Sequence, residues 1–206
     1  MESYIAVAAP SAAVVMASAG AVSGGAKGGG PPPRAEQISK AIEILKQIPE
    51  LRPEVWERLD LESRRQVLQS IENHLARVQG RPPCPIRVER MNPREFGGYD
   101  RASKTITVSE EHIASDDIYE IIDTIVHEGR HAYQHYAVEH PGFHSDEREV
   151  KEWKGNFEHY LPAEIYGMEI YRSQPIEADA WSFAEEVIKR FSEVSDERGE
   201  VKHSKG

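Results

Sequence analysis

Two histidines four residues apart, with a carboxylate directly after the first, are the residues in this chain best suited to chemistry: His127-Glu128-Gly129-Arg130-His131. On a helix, side chains at i and i+4 leave the same face about one turn apart. Neutral imidazole is a good Zn2+ ligand, and two from one rigid turn bind a tetrahedral ion with little reorganisation. Glu128 follows the first imidazole and points beside such an ion rather than at it. That is where a general base for an attacking water must stand. The pattern therefore predicts zinc-assisted hydrolysis, with His127 and His131 as ligands and Glu128 as the catalytic base. Gly129 costs about 1 kcal/mol in a helix interior, so its presence predicts close approach of another element there.

A catalytic zinc site takes three protein ligands and keeps the fourth position open. Residues 138–172 form a polar, aromatic-rich insert with His140, His144, Glu152, Glu158, His159 and Glu164 as donors in principle. Beyond it, Gln174-Pro-Ile-Glu-Ala-Asp-Ala-Trp-Ser-Phe-Ala184 reads as a helix, with Ser173 able to cap it and Pro175 in its first turn. Ala180 and Ala184 are small enough for close packing on the histidine helix. Glu177 is then the expected third ligand. Asp179 is the alternative, or else a partner that orients a ligating imidazole. In the insert, Tyr160, Tyr166 and Tyr171 are candidate donors to an oxyanion, although aromatic residues there also serve packing.

The elements that must position these groups follow from periodicity. Ile38, Ala41, Ile42, Leu45 and Ile48 recur at helical spacing, predicting a helix over 35–48. A second helix runs over 61–79, with Val67, Leu68, Ile71, Leu75 and Val78 on one face and Gly80 as its stop. Both read as packing elements. Residues 86–91 alternate as a strand, and 97–100 with 104–108 read as a hairpin. A long helix starts near Ile118, capped by Ser115 or Asp116, and carries the two histidines. Helices, then an antiparallel sheet, then helices make the class α+β. The hairpin edge would offer backbone groups to an extended peptide.

The motif His127-Glu-Gly-Arg-His131, followed by a helix bearing Glu177-Ala-Asp-Ala-Trp-Ser-Phe-Ala184, resembles the gluzincin branch of the zincin metallopeptidases. The E-x-x-A-x-x-F-A pattern is similar to the third-ligand helix of ImmA/IrrE-like peptidases. The longer strings His127–Gln134 and Tyr171–Glu177 resemble metallopeptidase domains of phage proteins and of bacterial polymorphic toxins and effectors. The resemblance covers roughly residues 86–190. It implies a zincin-like fold, His127, His131 and Glu177 as zinc ligands, Glu128 as base, and a protein or peptide substrate. The 45 residues between His131 and Glu177 are more than the ImmA/IrrE-like spacing implies.

The chain has 206 residues, with 25 Lys and Arg against 35 Asp and Glu, a net charge of −10. That sign speaks against nucleic acid as partner, since a phosphate backbone needs a positive field. The single cysteine, Cys84, excludes an internal disulfide and reads as an inert thiol. Residues 1–33 hold 9 Ala, 6 Gly, 4 Ser and 4 Pro and read as a flexible arm. Glu2 in place of a basic start, and Pro10 within the apolar run, count against a secretory signal, and the run is too weakly apolar to span a membrane. A helical segment over 34–80, a zincin-like core over 81–191 and a disordered tail over 192–206 complete the expected organisation. The rival function classes are a non-catalytic zincin-like binding protein and a zinc hydrolase acting on a non-peptide bond.

Overall fold

The computed structural model describes residues 30–93 and 95–203. Most of the expected arm, residues 1–29, lies outside the described residues. The first helix, α1, spans Arg34–Leu45. It ends short of the expected 48, because Ile48 is extended and leads into a 3-10 turn over Pro49–Leu51. A short helix α2 follows over Pro53–Trp56, with Pro53 in its first turn. Helix α3 spans Leu61–Gln79 between clear signals: Asp60 accepts from the Ser63 amide at 2.7 Å, and Gly80 closes it at φ 72°.

Three strands follow: β1 over Ile86–Glu89, β2 over Gly97–Asp100 and β3 over Thr105–Ser109. The sheet order is β1-β3-β2. The hairpin expected from the sequence is present, with Tyr99 opposite Ile106 in antiparallel register. The sheet as a whole is not antiparallel, however. β1 runs parallel to β3, with Ile86 beside Ile106 and Val88 beside Val108. The physical reason is burial. β3 is the most deeply covered strand, rich in β-branched residues, and takes the centre, so β1 and β2 become the edges. Ile86, Ile106, Val108 and Tyr99 face the main core.

A short helix α4, Glu110–Ile113, leads to the long helix α5, Ile118–Glu139. The cap of α5 is neither Ser115 nor Asp116 but Asp117, whose carboxylate accepts from the amides of Tyr119 and Glu120. Arg64 of α3 fixes the approach to α5. Its guanidinium donates to the carbonyls of Ile113 and Ser115 and pairs with Asp116. The insert folds as α6 over Glu147–Glu158, α7 over Ala163–Tyr166 and α8 over Met168–Ser173. Ser173 ends α8, its hydroxyl donating back to the Ile170 carbonyl, so it does not cap the next helix. That helix, α9, spans Pro175–His203, so the backbone is still helical where the sequence suggests an unstructured tail from Ser192.

The class is α+β, mostly helical, with one small mixed sheet. Helices α1, α3, α5 and α9 and the inner face of the sheet share one apolar core; Tyr133, Ala137, Trp153 and Ile176 form a second cluster under the insert. No helix among the described residues is long and apolar enough to cross a membrane.

Candidate metal centre

Helices α5 and α9 pack along one another, which brings His127, His131 and Glu177 into one buried group able to hold a metal ion. His127 Nε2 and His131 Nε2 lie 3.0 Å apart. Glu177 Oε2 is 3.4 Å from His127 Nε2, and Oε1 is 3.5 Å from His131 Nε2. Ligand atoms about 2.0–2.1 Å from a tetrahedral ion stand about 3.3 Å from one another, so these spacings fit such a donor set. Buried polar atoms without partners point the same way: Glu177 Oε2 and both oxygens of Glu128.

Burial pulls His127 down to about 4, favouring the neutral ring that binds metal. Burial also opposes the charged form of His131, but the Glu177 carboxylate outweighs it and raises that ring to about 9. Burial would lift Glu177 in turn, yet the imidazoles hold it well below the usual carboxylate range. The metal-free pair thus keeps a proton on His131, and metal binding must release it.

Asp179 is not in the donor group. Arg130 grips it through Nε at 2.8 Å and Nη2 at 3.1 Å, and Arg34 of α1 reaches it at 2.6 Å. It orients no imidazole directly. Gln134 stands between, with Oε1 2.9 Å from His131 Nδ1 and its amide nitrogen donating to Asp179 Oδ2 and to the Ile176 carbonyl. Because both of those partners are acceptors, the amide oxygen must face the ring. His131 therefore carries its Nδ1 proton there and turns Nε2 to the donor group.

Glu128 is fully buried beside this group, and burial pushes it up to about 8. Strand β2 closes on it. A Cβ at Gly97 would come within 2.7 Å of Thr124 Cγ2 and 2.9 Å of the Thr107 carbonyl, and within 3.8 Å of Glu128 Cγ. Only glycine lets this edge strand lie so near α5 at Thr124, one turn before the carboxylate.

The close approach expected at Gly129 comes from α3 and the residue after its cap. Arg81 and Glu72 form a buried bidentate pair at 2.7 and 2.9 Å. A Cβ at Gly129 would meet Arg81 Nη2 at 3.1 Å and Glu72 Oε2 at 3.2 Å. The segment over 34–80 is thus more than packing: its Glu72, paired with Arg81 just beyond it, backs the histidine turn. The glycine was the only signal of this contact, and it does not name the partner.

The insert meets the site through Tyr160, whose hydroxyl donates to Glu177 Oε1 at 2.9 Å. Tyr171 is buried near it, and its hydroxyl has no partner. Tyr166 is exposed. Of the other candidate donors, His144 binds the Tyr133 hydroxyl and Glu149, and His140 stacks on Tyr136. His159, Glu152, Glu158 and Glu164 are exposed. Cys84 is buried without a disulfide, its thiol pushed up to about 12 by burial.

A scan of protein-family models, a search of curated proteins and a search of solved structures each find no match to the chain.

Proposed function

We propose that the chain is a zinc-dependent metallopeptidase of the gluzincin kind, with a zincin-like arrangement of β2, α5 and α9. The observation that carries this reading is a buried three-donor group with a fourth carboxylate, Glu128, adjoining it and leaving both oxygens unpartnered. A purely structural zinc site would be closed by a fourth ligand and would need no base. Among the described residues the donor group has three members, and His144 is engaged elsewhere.

Zinc held by His127, His131 and Glu177 would supply Lewis acidity and acidify water. Glu128 takes the proton of the attacking water and delivers it to the leaving nitrogen. Held near 8 by burial, its carboxyl gains ionised character beside a cation, which brings it into range for exchanging a proton at neutral pH. The extended substrate pairs with the free edge of β2, which lies along Glu128.

Glu128→Gln tests the reading. The zinc-loaded variant is expected to keep its fold and metal and to lose hydrolysis of peptide mixtures by at least about 100-fold, the low end of general-base contributions. Turnover that survives the substitution contradicts it.

A further inference from the structure

The cleft beside the donor group has a wall that the proposed hydrolysis does not use. Counting the space at its open mouth it encloses about 390 Å³, and its lining includes His131 and Glu177. The remaining surface comes from Tyr99, Phe157, Tyr160 and Ile176, with Arg101 among them. The polar tips in this lining are already engaged. The Tyr99 hydroxyl bonds His135 Nδ1, the Tyr160 hydroxyl bonds Glu177, and the Ile176 carbonyl accepts from Gln134. What remains to face an occupant is ring and aliphatic carbon. Arg101 is exposed. It donates to the Phe157 carbonyl at 3.1 Å, and its guanidinium lies 5.0 Å from the Phe157 ring. A cation therefore stands over an apolar hollow. Phe157 and Tyr160 both belong to the insert over 138–172, so part of this wall comes from the segment that departs most from the resemblance.

We propose that this cleft is a specificity pocket, receiving one large apolar side chain (leucine, methionine or phenylalanine) from a residue flanking the scissile bond. The proposal rests on the metallopeptidase reading above. Two of the three metal-binding side chains line the cleft, so a carbonyl at the metal has its neighbouring side chain within reach of it. The hollow is too small for more than a single side chain, and its lining is mostly apolar. Burial of such a side chain is expected to favour it over alanine by about 10–100-fold. Arg101 acts in the opposite sense, by repulsion: a lysine or arginine entering the same hollow would meet a like charge at the rim, while Glu177, the carboxylate in the lining, is committed to the metal.

The experiment is cleavage of a proteome-derived peptide library by the zinc-loaded protein, with cut sites read by mass spectrometry. The expected result is enrichment of leucine, methionine and phenylalanine at one position next to the cut, with lysine and arginine depleted there. Cleavage without an apolar preference at either flanking position would overturn the pocket and leave the peptidase reading standing. No cleavage at all would overturn both. Affinity gives a second readout. Zinc-loaded Glu128→Gln, titrated calorimetrically with peptides differing only at that position, should bind leucine at least about tenfold more tightly than lysine; equal affinities would overturn the pocket. Arg101→Ala, at an exposed site, should narrow the leucine-to-lysine ratio by about tenfold. An unchanged ratio would remove the rim cation from the proposal.

Discussion

Gln134 Oε1 lies 2.9 Å from His131 Nδ1, and the same amide donates to Asp179 across the helix interface. One side chain thus sets the tautomer of a candidate ligand and ties α5 to α9. Arg130 and Arg34 hold Asp179 in place, which extends the tie to the start of α1. Gln134→Ala removes this support while leaving all three donors. Its zinc affinity, measured by competition with a chromophoric chelator, is expected to fall by about 10–100-fold. An unchanged affinity would make the contact one of packing alone.

Glu177 and Asp179 sit two residues apart on α9, and the structure gives them different partners. Glu177→Ala should leave less than about one-tenth of the zinc after dialysis, since two imidazoles alone make an incomplete site. Asp179→Asn should retain one zinc per chain. Elemental analysis of the two variants side by side checks this, and the reverse pattern would transfer the ligand role to Asp179.

The pair behind Gly129 carries a stability prediction. Glu72→Ala strands the buried Arg81 guanidinium and the Cys84 amide that Glu72 also accepts. Removing one partner of a buried ion pair costs about 3–5 kcal/mol, which urea denaturation would register as a lower midpoint. A midpoint within error of the parent would mean that the pair contributes nothing.

The parts of this architecture written in local pattern are the legible ones. The stop of α3 needs only Gly80, and the two imidazoles need only a helix to share a face. Glu177 is suggested by a neighbouring helix with small residues at Ala180 and Ala184. The sheet order is not local: β1 and β2 are neighbours in the chain yet lie on opposite sides of β3, and no residue pattern records that order. Asp117 stands among several residues able to cap, and the choice falls on it while the Ser115 hydroxyl accepts from its amide. Arg34, Glu72 and Tyr160 act on the site through partners 9 to 145 residues away, and Gln134, though only three residues from His131, is fixed by Asp179 45 residues on. Contacts of that span are decided by packing and leave no spacing to read.

Asp123, one turn before His127, supplies a pH dependence. Burial, with Glu185 adding repulsion, raises its carboxyl from 3.8 to about 7. A carboxyl that binds its proton more tightly in the folded state stabilises the fold fully below about pH 4, and this contribution is lost as pH rises through about 7. Asp123→Asn is therefore expected to raise the melting temperature at pH 8 by ~3 °C and to change it little at pH 4. Thermal scans at both pH values check the sign; stabilisation at pH 4 alone would contradict it.

The account stands most directly on where a metal ion sits and what completes its shell. Crystals grown with zinc, measured at the zinc absorption edge, are expected to show one anomalous peak about 2.0–2.2 Å from His127 Nε2, His131 Nε2 and an oxygen of Glu177, with a non-protein fourth position and Glu128 alongside but not bound. A peak elsewhere, or one whose fourth ligand is Glu128 or another protein side chain, would contradict an open hydrolytic centre.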